Sequence, residues 1–144
     1  MKKRSILILL ALLAAPLSAG ADTYGVNPGY WEIKTNWLGL VSKTERYCVA
    51  ADRISKILGG PCNHNYKCAY PIQQVANGNA YFEGDIRGHD EAYHVKGGGT
   101  YSATAMDMRM SGSGHWHIVP ILSASASVRA RFLAAECPAG SKKL

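Results

Sequence analysis

Methionine and histidine residues with the chemistry of a copper site cluster late in the sequence. Met106, Met108 and Met110 alternate along one predicted strand, and His115 and His117 flank a tryptophan shortly after it. Thioether sulfur and imidazole nitrogen both suit Cu(I), and residues two apart on a strand share a face. The spacing therefore admits a Cu(I) site built on a pair of strands.

The length of the loop between the methionines and the histidines determines whether their side chains lie on the same face. If Ser111–Gly114 forms a four-residue loop, Met110 lies opposite His115, and sulfur and imidazole converge on one face. A loop one residue shorter or longer moves the register, so that the methionines share their face with Trp116 and Ile118. Burying these two side chains gains roughly 2 to 3 kcal/mol each, whereas histidines are well solvated. Burial favours this second arrangement, a core, and the metal site is the alternative.

The sequence contains no assembled catalytic motif. Glu83 with Asp85, and Asp90 with Glu91, are acidic pairs, but a glycosidase needs two carboxyl groups across a cleft. Nucleophile-elbow, zinc-protease and phosphate-loop patterns are absent. We therefore expect no catalytic residues and no cofactor. The remaining histidines are expected to be solvated: His64, His89 and His94.

Residues 1–21 have the pattern of an export signal. Three basic residues at positions 2–4 precede an apolar run of about a dozen residues, and residues 19–21 provide a small-x-small cleavage site. The run is too short to remain as a membrane helix, which needs roughly twenty residues. We expect cleavage after Ala21, no stable membrane anchor afterwards, and a single exported domain over residues 22–144, periplasmic or extracellular.

The net charge argues against nucleic acid as a partner. The chain has a formal charge of +6, but the signal holds three basic and no acidic residues, so +3 remains without it. The remaining basic residues are dispersed, whereas nucleic-acid binding requires a clustered basic face. The expected partner is an unidentified ligand or an envelope protein.

Four cysteines in an exported chain predict two disulfides, and three connectivities are open. We favour Cys62 with Cys68, which closes a short polar loop, and Cys48 with Cys137, which ties the early half to the last strand. Loop entropy predicts stabilisation of about 4 kcal/mol for the long link and about 2 kcal/mol for the short one. Zinc is the rival interpretation because His64 lies between two of the cysteines, but no CxxC pair is present.

Turn signals recur at short intervals, and the runs between them are rich in aromatic and β-branched residues. This predicts a mainly β, single-domain, disulfide-stapled fold with seven or eight antiparallel strands in a curved sheet, small barrel or sandwich. Asp52 can cap one short helix that ends at Gly59-Gly60. The last strand alternates apolar with polar residues, which predicts a crowded inner face. The predicted strands are Gly29 to Trp37, Lys43 to Val49, Ala69 to Ala76, Asn79 to Ile86, Glu91 to Lys96, Thr100 to Met110, His115 to Val119 and Ser123 to Leu133.

Several short motifs together resemble a known family. They are Pro28-Gly29-Tyr30-Trp31-Glu32, Arg46-Tyr47-Cys48-Val49, Cys68, and the segment from Ala130 to Cys137. Their order resembles the secreted bacterial proteins catalogued as domain of unknown function 3617. The resemblance implies export, small size and a β-rich fold, and it implies no activity because that family is uncharacterised. We interpret the chain as a non-enzymatic exported β protein, a binding or envelope-structural module, with a periplasmic Cu(I)-binding protein as the alternative.

Overall fold

The computed structural model describes residues 22–144, so the predicted signal and its cleavage after Ala21 lie outside the described residues. The described chain is mainly β, as predicted, with one antiparallel sheet of seven strands and one short helix. The elements are β1 (Gly29–Trp37), β2 (Val41–Val49), α1 (Ala51–Leu58), β3 (Lys67–Ala76), β4 (Asn79–Arg87), β5 (Glu91–Tyr101), β6 (Ala105–Trp116) and β7 (Val119–Ala134).

The sheet is open, and its two edge strands are consecutive in the chain. The strand order is β2-β1-β7-β6-β5-β4-β3. Since β2 and β3 lie at opposite edges, the segment that contains α1 must cross a face of the sheet to connect them. Ile54 and Leu58 of α1 are fully buried, so the helix covers the inner face and closes the core.

The core lies between α1 and the inner face of the sheet. Trp31 of β1 and Phe82 of β4 are its largest fully buried side chains. Alternate residues of β7 face inward as predicted, and Ala126 and Ala130 are buried. The crowding expected there comes from Trp31, whose ring packs edge-on against Phe132 with centroids 5.5 Å apart.

Two predicted strand breaks are wrong. Gly97–Gly99 lies inside β5, and Ser111–Gly114 lies inside β6. Glycine serves there to allow close contact between strands: a Cβ on Gly99, for example, would collide with the carbonyl oxygen of Asp107. The separate strand predicted over residues 115–119 is also wrong, since β6 continues to Trp116 and a two-residue turn leads into β7.

α1 begins without the predicted side-chain cap. Ala50 occupies the N-cap position and Asp52 lies in the first turn, where its carboxylate is 3.9 Å from the Lys56 ammonium. The helix ends before Gly59, as predicted. Burial of its apolar side therefore stabilises this short helix in place of a cap. No helix among residues 22–144 is both long and apolar enough to cross a bilayer.

The end of the chain protects one edge of the sheet. The cysteines are paired in the favoured connectivity, Cys48–Cys137 and Cys62–Cys68. Beyond Cys137, the Cys48 amide donates to the Lys142 carbonyl at 2.7 Å, and the Leu144 amide donates to the Cys48 carbonyl at 3.2 Å. Glu45 accepts hydrogen bonds from Tyr47 and Lys142, which together with Lys43 lower its pKa to about 2. The tail thus covers part of the exposed backbone of β2.

Candidate functional site

The structure separates the methionines from the histidines considered as Cu(I) ligands. Met106 and Met108 are buried in the core, and Met110 is half-buried on the same face of β6. His115 faces the opposite side of the sheet, because residues an odd number apart on a strand alternate between faces. His117 lies in the turn after β6, and both histidines are exposed.

The strand register explains this separation. Met110 pairs with Ala126 of β7, and His115 pairs with Pro120. Neither hairpin considered from the sequence forms, because residues 111–114 continue β6, so the predicted facing of Met110 and His115 is wrong. No group of three or more His, Cys, Asp or Glu side chains within residues 22–144 is arranged to hold a metal. The cysteines of the zinc interpretation are joined in a disulfide.

A histidine lies between two carboxylates on the outer face of β4 and β5. This residue is His94. Its Nδ1 atom is 2.9 Å from Asp85 Oδ1, and its Nε2 atom is 3.1 Å from Glu83 Oε1. Asp85, and then Glu83, raises the pKa of His94 because each carboxylate stabilises the imidazolium. The side chain of His94 is exposed, as the sequence predicted, but its pairing with two carboxylates was not predicted. The short turn between β4 and β5 could have predicted this contact, because it sets the register that pairs Asp85 with His94.

Ser113 adds the third residue type of a hydrolytic triad to this cluster. It pairs with His94 across β5 and β6, as Asp85 does across β4 and β5. However, Nε2 of His94, which would accept the serine proton, is occupied by Glu83, and two carboxylates favour the protonated ring. A protonated histidine is a poor general base. The geometry therefore supports charge pairing rather than activation of a nucleophile.

Two hairpin turns expose apolar side chains at the same end of the sheet. The first tip, residues 37–41, joins β1 to β2, and the second tip, residues 116–119, joins β6 to β7. The tips lie at the same end of the sheet because β1 and β7 are adjacent antiparallel strands. Their exposed large apolar side chains are Trp37, Leu38, Leu40, Val41, Trp116, Ile118 and Val119.

The exposure of the second tip corrects the expectation that Trp116 and Ile118 lie in a core. Ile118 is 95% exposed and Trp116 is 54% exposed. The reason is the length of the last hairpin: Trp37 at the end of β1 pairs with Ala126, whereas β7 begins seven residues earlier, at Val119. At about 3.3 Å per residue, the second tip extends roughly 23 Å further along β7 than the first.

The two segments that form the tips contain no Asp, Glu, Lys or Arg, although Asp90 of the turn between β4 and β5 lies 3.5 Å from His117. Residues 37–42 and 116–125 include a single ionisable side chain, His117. We call these two segments the apolar rim. Clusters of exposed large apolar side chains, such as the one on each tip, are uncommon on soluble monomers and mark binding sites.

Each tip also holds a bulky residue in the left-handed backbone conformation. Leu38 has φ 54° and His117 has φ 51°. For residues other than glycine this conformation costs roughly 1 to 2 kcal/mol, which glycine would avoid. Positive φ is a feature of tight hairpin turns, and Asn77 in the turn between β3 and β4 has the same value as His117, 51°.

Comparison with known proteins identifies a family. Residues 26–137 match the family described as Protein of unknown function (DUF3617). The chain belongs to this family. No curated protein and no solved structure matches it.

The DUF3617 motifs noted in the sequence hold β2, β1 and β7 together. On the outer face, Glu32 accepts hydrogen bonds from Arg131 at 2.8 Å and from Arg46 at 3.1 Å. Arg131, and then Arg46, lowers the pKa of Glu32. On the inner face, Trp31 packs against Phe132 of the closing motif. These residues have a structural role, and none of them lies in the apolar rim.

Proposed function

We propose that this DUF3617 protein is an exported, non-enzymatic binding module that attaches to an anionic membrane surface through the apolar rim. The observation that carries the proposal is the concentration of seven exposed large apolar side chains on two hairpin tips at the same end of the sheet. The other large apolar side chains exposed among the described residues are scattered: Tyr24, Ile72, Tyr81 and Leu144.

The shape and composition of the tips favour a lipid surface over a folded protein partner. Both tips present strongly exposed apolar side chains, such as Leu40 and Ile118, at one end of the sheet, so they suit a deformable layer that these side chains can enter. Each tip contains one tryptophan, Trp37 or Trp116, the residue type enriched where proteins meet the boundary between lipid and water. Burial of tip side chains in that boundary supplies the affinity.

The basic residues on the strands behind the tips favour an anionic surface, while the turn between β4 and β5 places one carboxylate, that of Asp90, 3.5 Å from His117 of the second tip. Moving away from the tips along each of the four strands, the first formally charged residue is basic in every case. Lys34 and Lys43 occupy these positions on β1 and β2, and Arg109 and Arg129 occupy them on β6 and β7. Basic residues near anionic lipid contribute about 1 kcal/mol each.

Export is supported by the signal-like residues 1–21 and by two disulfides, which persist in oxidising compartments. Absence of catalysis is supported by the charge-paired state of His94, which leaves its ring without a free nitrogen to accept a proton. The family match adds no activity to this proposal.

Co-sedimentation with lipid vesicles tests the proposal. Protein purified after expression of the full chain should bind vesicles that contain phosphatidylglycerol. The double variant Leu40→Ser with Ile118→Ser alters only strongly exposed side chains, 85% and 95% accessible, so it should fold normally. Losing the burial of two such side chains should weaken vesicle binding about a hundredfold.

A matched control changes the same two residue types away from the rim. Ile72→Ser with Leu144→Ser removes one exposed isoleucine and one exposed leucine from β3 and the tail. This variant should bind like the unaltered protein. Equal vesicle binding by the rim variant and the unaltered protein would refute the proposal, as would a complete lack of binding by the unaltered protein.

A further inference from the structure

A groove crosses the outer face of the sheet and opens beside the first tip. Its volume is about 950 Å³, and Gly39 of the first tip lines one end. At its centre lies Gly98 of β5, which pairs with Tyr81 of β4 on one side and with Arg109 of β6 on the other. Because glycine has no side chain, a gap separates the tyrosine from the arginine.

The gap is a consequence of how closely the strands approach. A Cβ on Gly98 would collide with the carbonyl oxygen of Ala80 in β4. Any larger residue would therefore force β4 and β5 apart. The gap between Tyr81 and Arg109 is thus maintained by the close approach of the strand backbones.

The groove is lined by basic and hydroxylated side chains and by no carboxylate. Its charged residues are Lys96, Arg109 and Arg129. Arg129 is paired with Asp107 at 3.2 Å, whereas Lys96 and Arg109 have no carboxylate within ion-pair distance among residues 22–144. Glu83 pairs with Lys96 in the strand register, but its carboxylate is held by hydrogen bonds from neighbouring side chains.

We infer that this groove binds the phosphate group of an anionic lipid headgroup while the apolar rim enters the membrane. Lys96 and Arg109 line the groove beside Gly98, and an ammonium and a guanidinium are the usual protein ligands of phosphate. Gly39 belongs both to the groove and to the first tip, which places the headgroup site next to the apolar rim. Hydroxyl donors are supplied by Thr100, Ser111, Ser125 and Ser127.

This inference rests on the proposed function, and it adds selectivity for the headgroup. The apolar rim would bind any bilayer, whereas the groove would distinguish phosphatidylglycerol from zwitterionic phosphatidylcholine. The double variant Lys96→Gln with Arg109→Gln should lower affinity for phosphatidylglycerol vesicles roughly thirtyfold, since two basic residues are removed. Its weaker affinity for pure phosphatidylcholine vesicles should be unchanged.

The matched control is Arg53→Gln with Lys56→Gln on α1, which removes the same charge from another part of the protein. It should lower affinity for phosphatidylglycerol vesicles less than threefold, because diffuse attraction is screened within about 10 Å at ordinary salt. An equal loss in the control and the groove variant would overturn the inference, because net charge would then account for the selectivity.

Two further outcomes separate the inference from the proposed function. If the rim variant loses vesicle binding while the groove variant keeps full selectivity, the groove assignment fails and the membrane proposal stands. If inorganic phosphate in solution binds as tightly as the vesicles do, and Lys96→Gln with Arg109→Gln abolishes that binding, the ligand is a free phosphate compound and the lipid assignment fails. If Arg109→Lys keeps only part of the preference for phosphatidylglycerol, the result would support a bidentate contact of the Arg109 guanidinium with the phosphate.

Discussion

The Nε–H of Arg131 donates a hydrogen bond to Glu32 at 2.8 Å and so joins residues 99 positions apart in the sequence. Arg46 donates to the other carboxylate oxygen at 3.1 Å. The side chain of Glu32 on β1 therefore links β1 to both of its neighbouring strands, β2 and β7. The three residues belong to the DUF3617 motifs of this chain, which gives these motifs a physical explanation that is independent of any ligand.

The Glu32 ion pairs predict a specific acid sensitivity. Arg131 and Arg46 lower the pKa of Glu32 in the folded state, so the stability from this group is present above its ordinary pKa and is lost as the pH falls through the lowered value. The variant Glu32→Gln should therefore lose less stability than the unaltered protein between about pH 5 and pH 2. Urea unfolding across this range measures the difference. Glu136→Gln, which removes a carboxylate without an ion pair among the described residues, is the control for the loss of one negative charge. Identical curves for all three proteins would contradict the prediction.

The two disulfides should contribute unequally to stability. Cys48 and Cys137 are 89 positions apart, whereas Cys62 and Cys68 are only 6 apart. Loop entropy predicts that replacing the first pair by alanine costs about 4 kcal/mol and replacing the second about 2 kcal/mol. Chemical denaturation of both double variants measures the ranking. A larger loss from the short link would mean that local contacts around Cys62 matter more than the constraint on the unfolded chain.

His94 should stabilise the fold most at low pH. Asp85 and Glu83 raise its folded pKa, so its contribution is complete below its ordinary pKa of about 6.5 and disappears as the pH rises through the raised value. The stability difference between the unaltered protein and His94→Gln should therefore shrink from pH 6 to pH 8. In NMR titration the His94 ring should have a midpoint above 6.5. A midpoint below that value would show that the carboxylates do not hold the imidazolium, and His64→Gln is the control for loss of an exposed histidine.

Gly84 should tolerate no side chain. A Cβ there would collide with the carbonyl oxygen of Ala69, at the site where a bulge interrupts the pairing of β3 with β4. The variant Gly84→Ala should lose about 2 kcal/mol or more, because backbone must move to make room. Ser113→Ala, a change of similar size on the exposed face of β6, should lose under about 0.5 kcal/mol. Equal thermal midpoints for the two variants would show that the sheet can relax around residue 84.

The local sequence pattern predicted an element correctly where the residues of that element determine it. The bounds of β1 match the predicted Gly29 to Trp37, and the alternation of β7 correctly places Ala126 and Ala130 inside. Asp52 failed as a cap, although the helix itself was predicted. In this short helix, the burial of Ile54 and Leu58 decides where it forms.

Prediction from the local sequence pattern was wrong where a glycine is required by close contact with a neighbouring strand. Ser111–Gly114 has the composition of a turn, yet it lies within β6 because its glycines adjoin the backbone of β5. That misplaced turn led to both erroneous registers for Met110 and His115. For the same reason the apolar rim was not predicted. The exposure of Trp116 depends on how far the last hairpin extends beyond the first. That difference depends on strands far apart in the sequence, so a short stretch of residues does not reveal it.

The position of β1 between β2 and β7 has a consequence for the order of assembly. β1 can pair with β2 as soon as both have been synthesised, but its other side has no partner until the last strand arrives about one hundred residues later. Pairings so distant are slow to form, and an incomplete nascent chain must keep that side of the hairpin unpaired. A chain with this connectivity therefore completes its sheet only when translation is almost finished.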